Sequence, residues 1–425
     1  MRDSTNGLLA YMLRVKGHAP FALCAFVSWS RKSMRVVSNV MKTAAAALCL
    51  CLICPAFSQS RESRSINVDE FSKTAGDAPS NPGPRANLSS KMEPTAIKAA
   101  MKKVADWEYS RIHDAPSRDW TFAPLYDGFL AASQTLHEPR YHDLVLDAAN
   151  HFDWKLGTGD IDTNANEHAL GYAYIQLYAE APDERRISDL KREFDAINVR
   201  SANRDGGLIW WWCDALFMAP PTWASLSAAT GDGRYLSYMD SRYHETDKLL
   251  WNPQYHLYSR DKGFLSRREA NGLPVFWSRG NGWVLAGLAM VLDKLPANDA
   301  RRPFYVERFR QMSAAVSKIQ SPDGLWRTGL LDPSAYKLPE TSGSAFFLYA
   351  LGWGVNHGVL SAAEYKPVIE RGWAGLVSNI YADGRFGATQ PVGDRPGKYR
   401  QSASYVYGVG AFLLAGSEIK IFSER

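Results

Sequence analysis

Apolar residues recur at helical spacing from residue 94 to the C-terminus. The clearest sets are Leu144, Ala148, Phe152 and Leu156; Phe309, Met312, Val316 and Ile319; and Ile369, Trp373, Leu376 and Ile380. The members of each set fall on one face of an α-helix, which predicts amphipathic helices packed on a core. Segments 282–292 and 344–355 are apolar almost all round and predict helices that are buried on every side. Strand signals are few and short, as at 257–260.

A weak internal repeat accompanies these helices. The dipeptide Asp-Gly recurs at 205–206, 323–324 and 383–384, each time shortly before an aromatic residue. Segments 132–141 and 229–235 share a Thr…Arg-Tyr turn between helices. Repeated helix pairs with matching loops are typical of a closed ring or of a solenoid, and solenoid repeats would be shorter and more regular. The sequence therefore predicts an all-α fold, an (α/α)6 barrel in which six hairpins form a toroid.

The N-terminal region has the pattern of an export signal. A positive start at Met41-Lys42 precedes an apolar core at 43–54, and small residues follow before a cleavage site after Ser58. The apolar core is too short to span a bilayer comfortably. Met34 or Met41 could be the true start of translation.

Length and composition fit one large folded domain. The chain has 425 residues, of which 46% are hydrophobic and 22% charged. The predicted division is 1–58 as an upstream region plus signal peptide, 59–90 as a flexible linker, and 91–425 as the catalytic barrel. A net charge of +5 without a long basic run gives no reason to expect a nucleic-acid partner. We expect an exported protein, periplasmic or secreted, that is monomeric and has no membrane span after processing.

Cleavage after Ser58 would leave the mature chain with one cysteine, Cys213, because Cys24, Cys49, Cys51 and Cys54 all precede it. A lone cysteine cannot form an internal disulfide. Cys213 is therefore either a nucleophile or a buried, inert thiol.

The densest candidate site is the segment 208–221, in which Asp214 is the one carboxylate of an apolar, aromatic run. Apolar surroundings raise the pKa of a carboxyl group, as a general acid at neutral pH requires. The alternative is that Asp214 is the N-cap of a helix that begins at Ala215.

Three further segments carry residues suited to a polar ligand. Segment 276–283 contains Trp277, Arg279 and Trp283, which combine aromatic faces with a guanidinium that can bind a carboxylate. The alternative is that these residues form a packed turn. In 164–172, Glu167 and His168 either orient a substrate or begin a helix. There is no HExxH motif, so no metal is expected. Segment 338–345 is a helix cap or, less strongly supported, a pocket lining.

Long strings of this chain resemble the unsaturated rhamnogalacturonyl hydrolases and, more distantly, the unsaturated glucuronyl hydrolases. The resemblance covers residues 95–418 and rests on these segments: WWWCDALFMAPPTWA (210–224), REANGLPVFWSRGNGWV (268–284), DGLWRTGLLDP (323–333), PETSGSAFFLYALGWGVNHG (339–358) and YGVGAFLLAGSE (407–418).

The resemblance implies an (α/α)6 barrel without metal or organic cofactor. It also implies the removal of a terminal C4=C5 unsaturated galacturonyl residue from lyase-generated pectic oligosaccharides, through hydration of the double bond. By motif position Asp214 is the catalytic acid. The substrate-binding residues implied or suggested are Glu167, His168, Trp211, Trp277, Arg279 and Trp283.

One departure from the family pattern concerns Asn166-Glu167, which stands where many members have two aspartates before the histidine. Glu167 must then replace a supporting aspartate with one more methylene, or that role is lost. Three alternatives remain: a glucuronyl hydrolase acting on glycosaminoglycan fragments, a catalytically idle sugar-binding protein, and an inverting glycosidase with a second carboxylate across the site.

Overall fold

The computed structural model describes Gly76, residues 81–202 and residues 208–425. The predicted signal peptide and most of the predicted linker lie outside these residues. The helices are α1 (Pro94–Ile112), α2 (Ala123–Leu136), α3 (Pro139–His151), α4 (Leu170–Glu180), α5 (Arg185–Ala202), α6 (Ala215–Met218), α7 (Pro220–Thr230), α8 (Gly233–Leu250), α9 (Ser278–Lys294), α10 (Arg302–Lys318), α11 (Thr341–Asn356), α12 (Ala362–Val377) and α13 (Val406–Ser423).

Short elements fill some of the connections. Single 3₁₀ turns lie at Trp120–Phe122, Ala165–His168, Lys262–Phe264 and Pro333–Ala335. The strands β1 (Trp251–Asn252) and β2 (Leu257–Tyr258) form an antiparallel ladder in which Trp251 faces Tyr258. Of the short strand that the sequence predicts at 257–260, the first two residues, Leu257 and Tyr258, form a strand.

Six helices form a closed inner ring. Helices α2, α4, α7, α9, α11 and α13 contact one another in that order, and α13 closes onto α2. The other long helices, α1, α3, α5, α8, α10 and α12, alternate with them along the chain and present a polar face to solvent. The all-α barrel of six hairpins that the sequence predicts is confirmed.

Inner helices are buried because other helices surround them on every side. All residues of α11 are buried, and so are those of α9 from Ser278 to Leu292, as the absence of a polar stripe predicts. Helix α13 is, in the part of the chain that the structure describes, the one helix long and apolar enough to cross a membrane. It is 72% buried and lies between α2 and α11.

All three predicted amphipathic stripes extend past the helices that carry them, and Ile319 does so by one residue beyond α10. Helix α3 ends at His151, and Asp153 and Trp154 then take positive φ angles of 53° and 57°, which turn the chain out of the helix. Leu156 is nevertheless buried. Helix α12 likewise ends before Ile380, which is also buried. Loop residues that pack on the core thus continue the helical spacing of apolar residues. For this reason the sequence pattern predicts helices that are longer than those in the structure.

The internal repeat corresponds to recurring contacts. Gly324 and Gly384 of the Asp-Gly pairs have φ angles of 82° and 103°, a conformation that favours glycine, while the pair at 205–206 lies outside the described residues. Tyrosines of three outer helices donate their hydroxyls to an aspartate of the preceding outer helix: Tyr141 to Asp106, Tyr235 to Asp195, and Tyr305 to Asp240. The first two tyrosines belong to the Thr…Arg-Tyr turns.

The predicted linker ends earlier than residue 90. Ala86 N donates to the carbonyl of Ile380 over 2.9 Å, and Ala382 N donates to the carbonyl of Pro84 over 2.8 Å. The Arg85 guanidinium lies 3.9 Å from the ring centroid of Tyr381. This part of the predicted linker is bound to the barrel because it pairs with the chain that follows α12.

The connections differ in length at the two ends of the ring. Those that lead from an outer to an inner helix are long: 113–122, 152–169, 203–219, 251–277, 319–340 and 378–405. Those that lead outward are short, from two residues at 137–138 to seven at 295–301. All long loops therefore gather at the N-terminal ends of the inner helices, where side chains from different hairpins can meet.

Candidate active site

Asp214 is positioned where two of the long loops pair. Cys213 N donates to the carbonyl of Arg260 over 2.8 Å, and Trp212 forms an antiparallel bridge with Asp261. The segment 212–214 then enters the single turn α6, which contacts the buried helix α9. The loops 203–219 and 251–277 thus fix the aspartate at the loop end of the ring.

The Asp214 carboxyl is not a helix cap. The residue occupies the N-cap position of α6, but its side chain accepts no capping hydrogen bond. The side chain is instead buried, with 8% exposed, and Oδ2 accepts a hydrogen bond from Cys213 Sγ at 3.3 Å. Of the two interpretations that the sequence leaves open for Asp214, the structure contradicts the helix cap.

Burial raises the pKa of Asp214 above its ordinary value, and the charge of Arg260, the Cys213 thiol and the charge of Arg279 oppose the shift. A carboxyl group with a raised pKa keeps its proton closer to neutral pH and can donate it to a substrate.

Helix α9 approaches Asp214 through a glycine. A Cβ on Gly280 would lie 2.9 Å from Cys213 Sγ and 3.7 Å from Asp214 Oδ2. A side chain there would displace the thiol, so the close approach requires glycine. The two segments singled out in the sequence, 208–221 and 276–283, therefore meet at Asp214.

Arg279 uses its guanidinium to hold the loop 378–405. Nη1 donates to the carbonyl of Gln390 over 2.5 Å, and Nη2 donates to the carbonyl of Pro391 over 2.7 Å. The guanidinium lies 4.4 Å from the ring centroid of Trp277 and 4.9 Å from that of Tyr407. Arginine is suited to this place because its planar fork can reach two carbonyls at once.

Gln390 is a residue that the sequence analysis missed. It is buried, and six hydrogen bonds fix it. In the side chain, Oε1 accepts from Trp277 Nε1 (3.0 Å) and Thr328, and Nε2 donates to the carbonyl of Arg395 (2.7 Å). In the backbone, N donates to Glu340 Oε1 (3.1 Å), and the carbonyl accepts from Arg279 and Tyr407. No local motif marks the residue, since four of its six partners, Trp277, Arg279, Thr328 and Glu340, lie on other hairpins.

The aromatic residues divide between the core and the surface. Trp283 is buried, with its ring 4.2 Å from Phe346 and 4.7 Å from Phe217. Trp277 is buried as well and donates to Gln390. Trp211 is 47% exposed, and its ring centroid lies 5.2 Å from the Arg260 guanidinium. Of the three predicted tryptophans, Trp211 offers an open face for a sugar.

His168 is held by protein groups at both ring nitrogens. Its Nε2 donates to the carbonyl of Ile161 over 2.7 Å, and its Nδ1 accepts from Trp223 Nε1 at 3.1 Å. Burial lowers the pKa of His168 to about 4, so the imidazole is neutral at physiological pH. It therefore ties the loop 152–169 to the inner helix α7.

Glu167 turns back onto its own loop. Its Oε2 accepts from Gly159 N at 2.8 Å, and its Oε1 accepts from Asn164 Nδ2 at 3.2 Å. Among the described residues none of its contacts is with Asp214, although the turn Ala165–His168 contacts α6. Within the described residues no group of three or more His, Cys, Asp or Glu side chains could hold a metal ion.

Comparison with known proteins identifies the family. Residues 94–422 match the model of Glycosyl Hydrolase Family 88. The chain belongs to this family. It is therefore a glycosidase, and the resemblance that the sequence segments carry is confirmed.

Several proteins resemble this member of family 88 over most of its length. An unsaturated 3S-rhamnoglycuronyl hydrolase of Formosa agariphila is 35% identical over 76% of this chain and 90% of its own length. A protein of the same name from an Alteromonas species is 31% identical over 75% of this chain and 81% of its own length. The structure of a family 88 hydrolase from Bacteroides vulgatus superposes with a TM-score of 0.71 at 28% identity, covering 77% of this chain and 99% of that one.

Proposed function

We propose that this glycosidase removes a C4=C5 unsaturated uronyl residue from the non-reducing end of lyase-generated oligosaccharides by hydrating the double bond. The observation that carries the proposal is the Asp214 carboxyl, which is buried at the loop end of the ring with a raised pKa. The names of the two relatives, which specify an unsaturated rhamnoglycuronyl substrate, support it.

The proposed chemistry needs one acid. The double bond belongs to an enol ether, so a proton from Asp214 adds to C4 and the positive charge at C5 spreads onto the ring oxygen. The carboxylate left on Asp214 then takes a proton from water as its oxygen bonds to C5, which gives a hemiketal and restores the acid. Opening of the ring gives a ketone at C5 and a hemiacetal at C1, which breaks down to an aldehyde and releases the aglycone.

The finer question is which sugar follows the unsaturated residue. Galacturonate and glucuronate differ only at C4, and elimination makes C4 trigonal, so both give the same unsaturated unit. Discrimination must therefore depend on the linkage and the next sugar. The sequence resemblance indicates rhamnogalacturonan, the relatives are named for rhamnoglycuronyl substrates, and rhamnose is common to both. We propose rhamnose as the next sugar, with pectic rhamnogalacturonan as one source.

Export is part of the proposal, because lyase products of a polysaccharide arise outside the cytoplasm. The signal-like pattern that ends at Ser58 supports it. The same pattern defines Gln59 as the first residue of the protein to be tested.

The test follows the ultraviolet absorbance of the conjugated uronate. The protein from Gln59 onward is mixed with lyase digests of rhamnogalacturonan, of a rhamnoglucuronan and of a glycosaminoglycan, beside an Asp214→Asn control of nearly equal shape. We expect loss of absorbance with the two rhamnose-containing digests, at least about 1,000-fold slower in the control. The absorbance should fall before or together with release of the aglycone, because hydration precedes release.

Each contrary result has its own meaning. Aglycone release that runs ahead of the loss of absorbance would refute hydration and favour an ordinary glycosidase. Turnover of the glycosaminoglycan digest alone would refute rhamnose as the next sugar. No turnover of any digest would refute the proposed substrate class and the proposed reaction.

A further inference from the structure

Arg260 lies beside the catalytic acid in a position that no motif indicates. Its carbonyl accepts the hydrogen bond from Cys213 N at 2.8 Å, so Arg260 lies opposite the residue before Asp214. Its charge is the strongest of those that oppose the raised pKa of Asp214. Its guanidinium also lies under the exposed ring of Trp211. Arg260 therefore connects the acid with the accessible aromatic face.

The guanidinium of Arg260 is only partly satisfied. Nη1 pairs with Asp261 Oδ2 over 2.6 Å. Nε is buried and, among the described residues, has no hydrogen-bond partner. A buried donor without a partner costs free energy, and a ligand that supplies an acceptor recovers that free energy. Arginine binds a carboxylate through two parallel N–H donors, and the Asp261 pair occupies neither Nε nor Nη2.

Arg279, the arginine that the sequence suggests for this role, is engaged elsewhere. Both of its Nη atoms donate to carbonyls of the loop 378–405. Its guanidinium also packs against the rings of Trp277 and Tyr407. Binding a substrate carboxylate with the same two donors would release Gln390 and Pro391. The Nη donors of Arg279 are thus engaged within the protein, whereas the donors of Arg260 are only partly engaged.

We infer that Arg260, and not Arg279, binds the carboxylate of the unsaturated uronyl residue, with the face of Trp211 beside the sugar ring. The inference rests on the proposed function. The carboxylate is attached to C5, one bond from the C4 atom that Asp214 protonates, so a group adjacent to Asp214 is the appropriate one to hold it. Binding would also neutralise the arginine that favours ionisation of Asp214, and so help the acid to keep its proton.

A pair of substrates that differ only in charge tests this inference. The unsaturated uronyl-rhamnose disaccharide is compared with its methyl ester, which keeps the double bond and removes the negative charge. For Arg260→Gln we expect kcat/KM for the charged disaccharide to fall roughly 10- to 100-fold relative to wild type, while kcat/KM for its methyl ester changes less than about 3-fold. Arg267→Gln is the matched control, since Arg267 is an exposed arginine of the same loop whose Nε donates to the carbonyl of Gly263. It should leave both values unchanged.

An equal loss of kcat/KM for the charged disaccharide and for its methyl ester in Arg260→Gln would overturn the inference, because it would show that Arg260 acts only through Asp214 or the fold. An unchanged kcat/KM for the charged disaccharide would overturn it as well. Calorimetric binding of the acid to Asp214→Asn, with and without Arg260→Gln, requires no turnover and so remains decisive if the hydration chemistry itself is refuted. We expect at least about 10-fold weaker binding in the double variant, and equal binding would contradict the inference.

Discussion

The Cys213 thiol donates a hydrogen bond to Asp214 Oδ2 across 3.3 Å, and both side chains are buried. Burial and the adjacent Asp214 charge raise the pKa of the thiol well above its ordinary value. A thiol that does not ionise is a poor nucleophile. Cys213 therefore acts as a hydrogen-bond donor that holds one oxygen of the Asp214 carboxyl group.

Removal of this donor should be visible in the pH profile. The bond favours the charged carboxylate, so Cys213→Ala should raise the pKa of Asp214 further. In the proposed mechanism Asp214 acts in its protonated form, so activity should fall as pH rises through its pKa. The alkaline limb of kcat/KM should therefore move to higher pH in Cys213→Ala and remain near its wild-type position in Cys213→Ser, which keeps a donor. An unshifted limb in Cys213→Ala would show that the thiol has no influence on the acid.

Gly280→Ala tests the packing of the same pair. Alanine normally stabilises a helix interior relative to glycine, but here its Cβ would lie 2.9 Å from Cys213 Sγ and 3.2 Å from Trp277 Cε3. We expect a loss of about 1–3 kcal/mol of unfolding free energy and of at least about 10-fold in kcat/KM, measured by urea denaturation and by the absorbance assay.

A double variant separates the thiol from the tryptophan in this effect. Cys213→Ala removes the closer of the two atoms that the new methyl group would meet. The stability losses of Gly280→Ala and Cys213→Ala should then be less than additive, with a coupling of roughly 0.5 kcal/mol or more. Additive losses would mean that Trp277, rather than the thiol, resists the methyl group.

His168 gives a prediction for stability against pH. Its folded pKa of about 4 lies below the ordinary 6.5, so the folded state favours the neutral imidazole. This contribution is present above pH 6.5 and is lost as pH falls through about 4, a loss of roughly 3 kcal/mol at most. In His168→Gln the amide can donate to Ile161 and accept from Trp223 but cannot gain a proton.

Thermal denaturation between pH 4 and pH 6.5 checks this prediction. The wild type should lose more stability on acidification than His168→Gln, while the two should be similar at neutral pH. His142→Gln, which removes a partly buried histidine that pairs with Glu180, should follow the wild type. Parallel curves for all three proteins would show that His168 does not determine the acid sensitivity of the fold.

The fold and the burial of Asp214 were predictable from the sequence because both depend on local signals. Helical spacing and all-round apolar segments record which helices are inner and which are outer, and Asp214 is conspicuous as one charge in an aromatic run. Arg260 and Gln390 were not predictable, because their roles come from contacts between loops of different hairpins. Gln390 lies 111 residues from Arg279 along the chain, and polar residues in a loop carry no periodicity that indicates their partners.

Arg279 and Arg302 provide a matched pair for the role of the loop 378–405. Arg279 bonds two carbonyls of that loop, and Arg302 Nη1 bonds the carbonyls of Leu292 and Leu295 at 2.7 Å each, at the opposite end of the ring. Lysine carries a compact charge without the planar fork and cannot reproduce either contact fully.

Arg279→Lys should loosen the loop and remove support from Trp277, because both residues bond Gln390. We expect kcat/KM to fall about 10-fold or more and limited proteolysis to cut faster between residues 391 and 400. Arg302→Lys should cost a similar amount of stability, about 1–2 kcal/mol, without either effect. If both variants lose activity in proportion to stability, the Arg279 contact contributes only to folding. A loss of activity confined to Arg279→Lys would show that the loop must be held in place for the site to work.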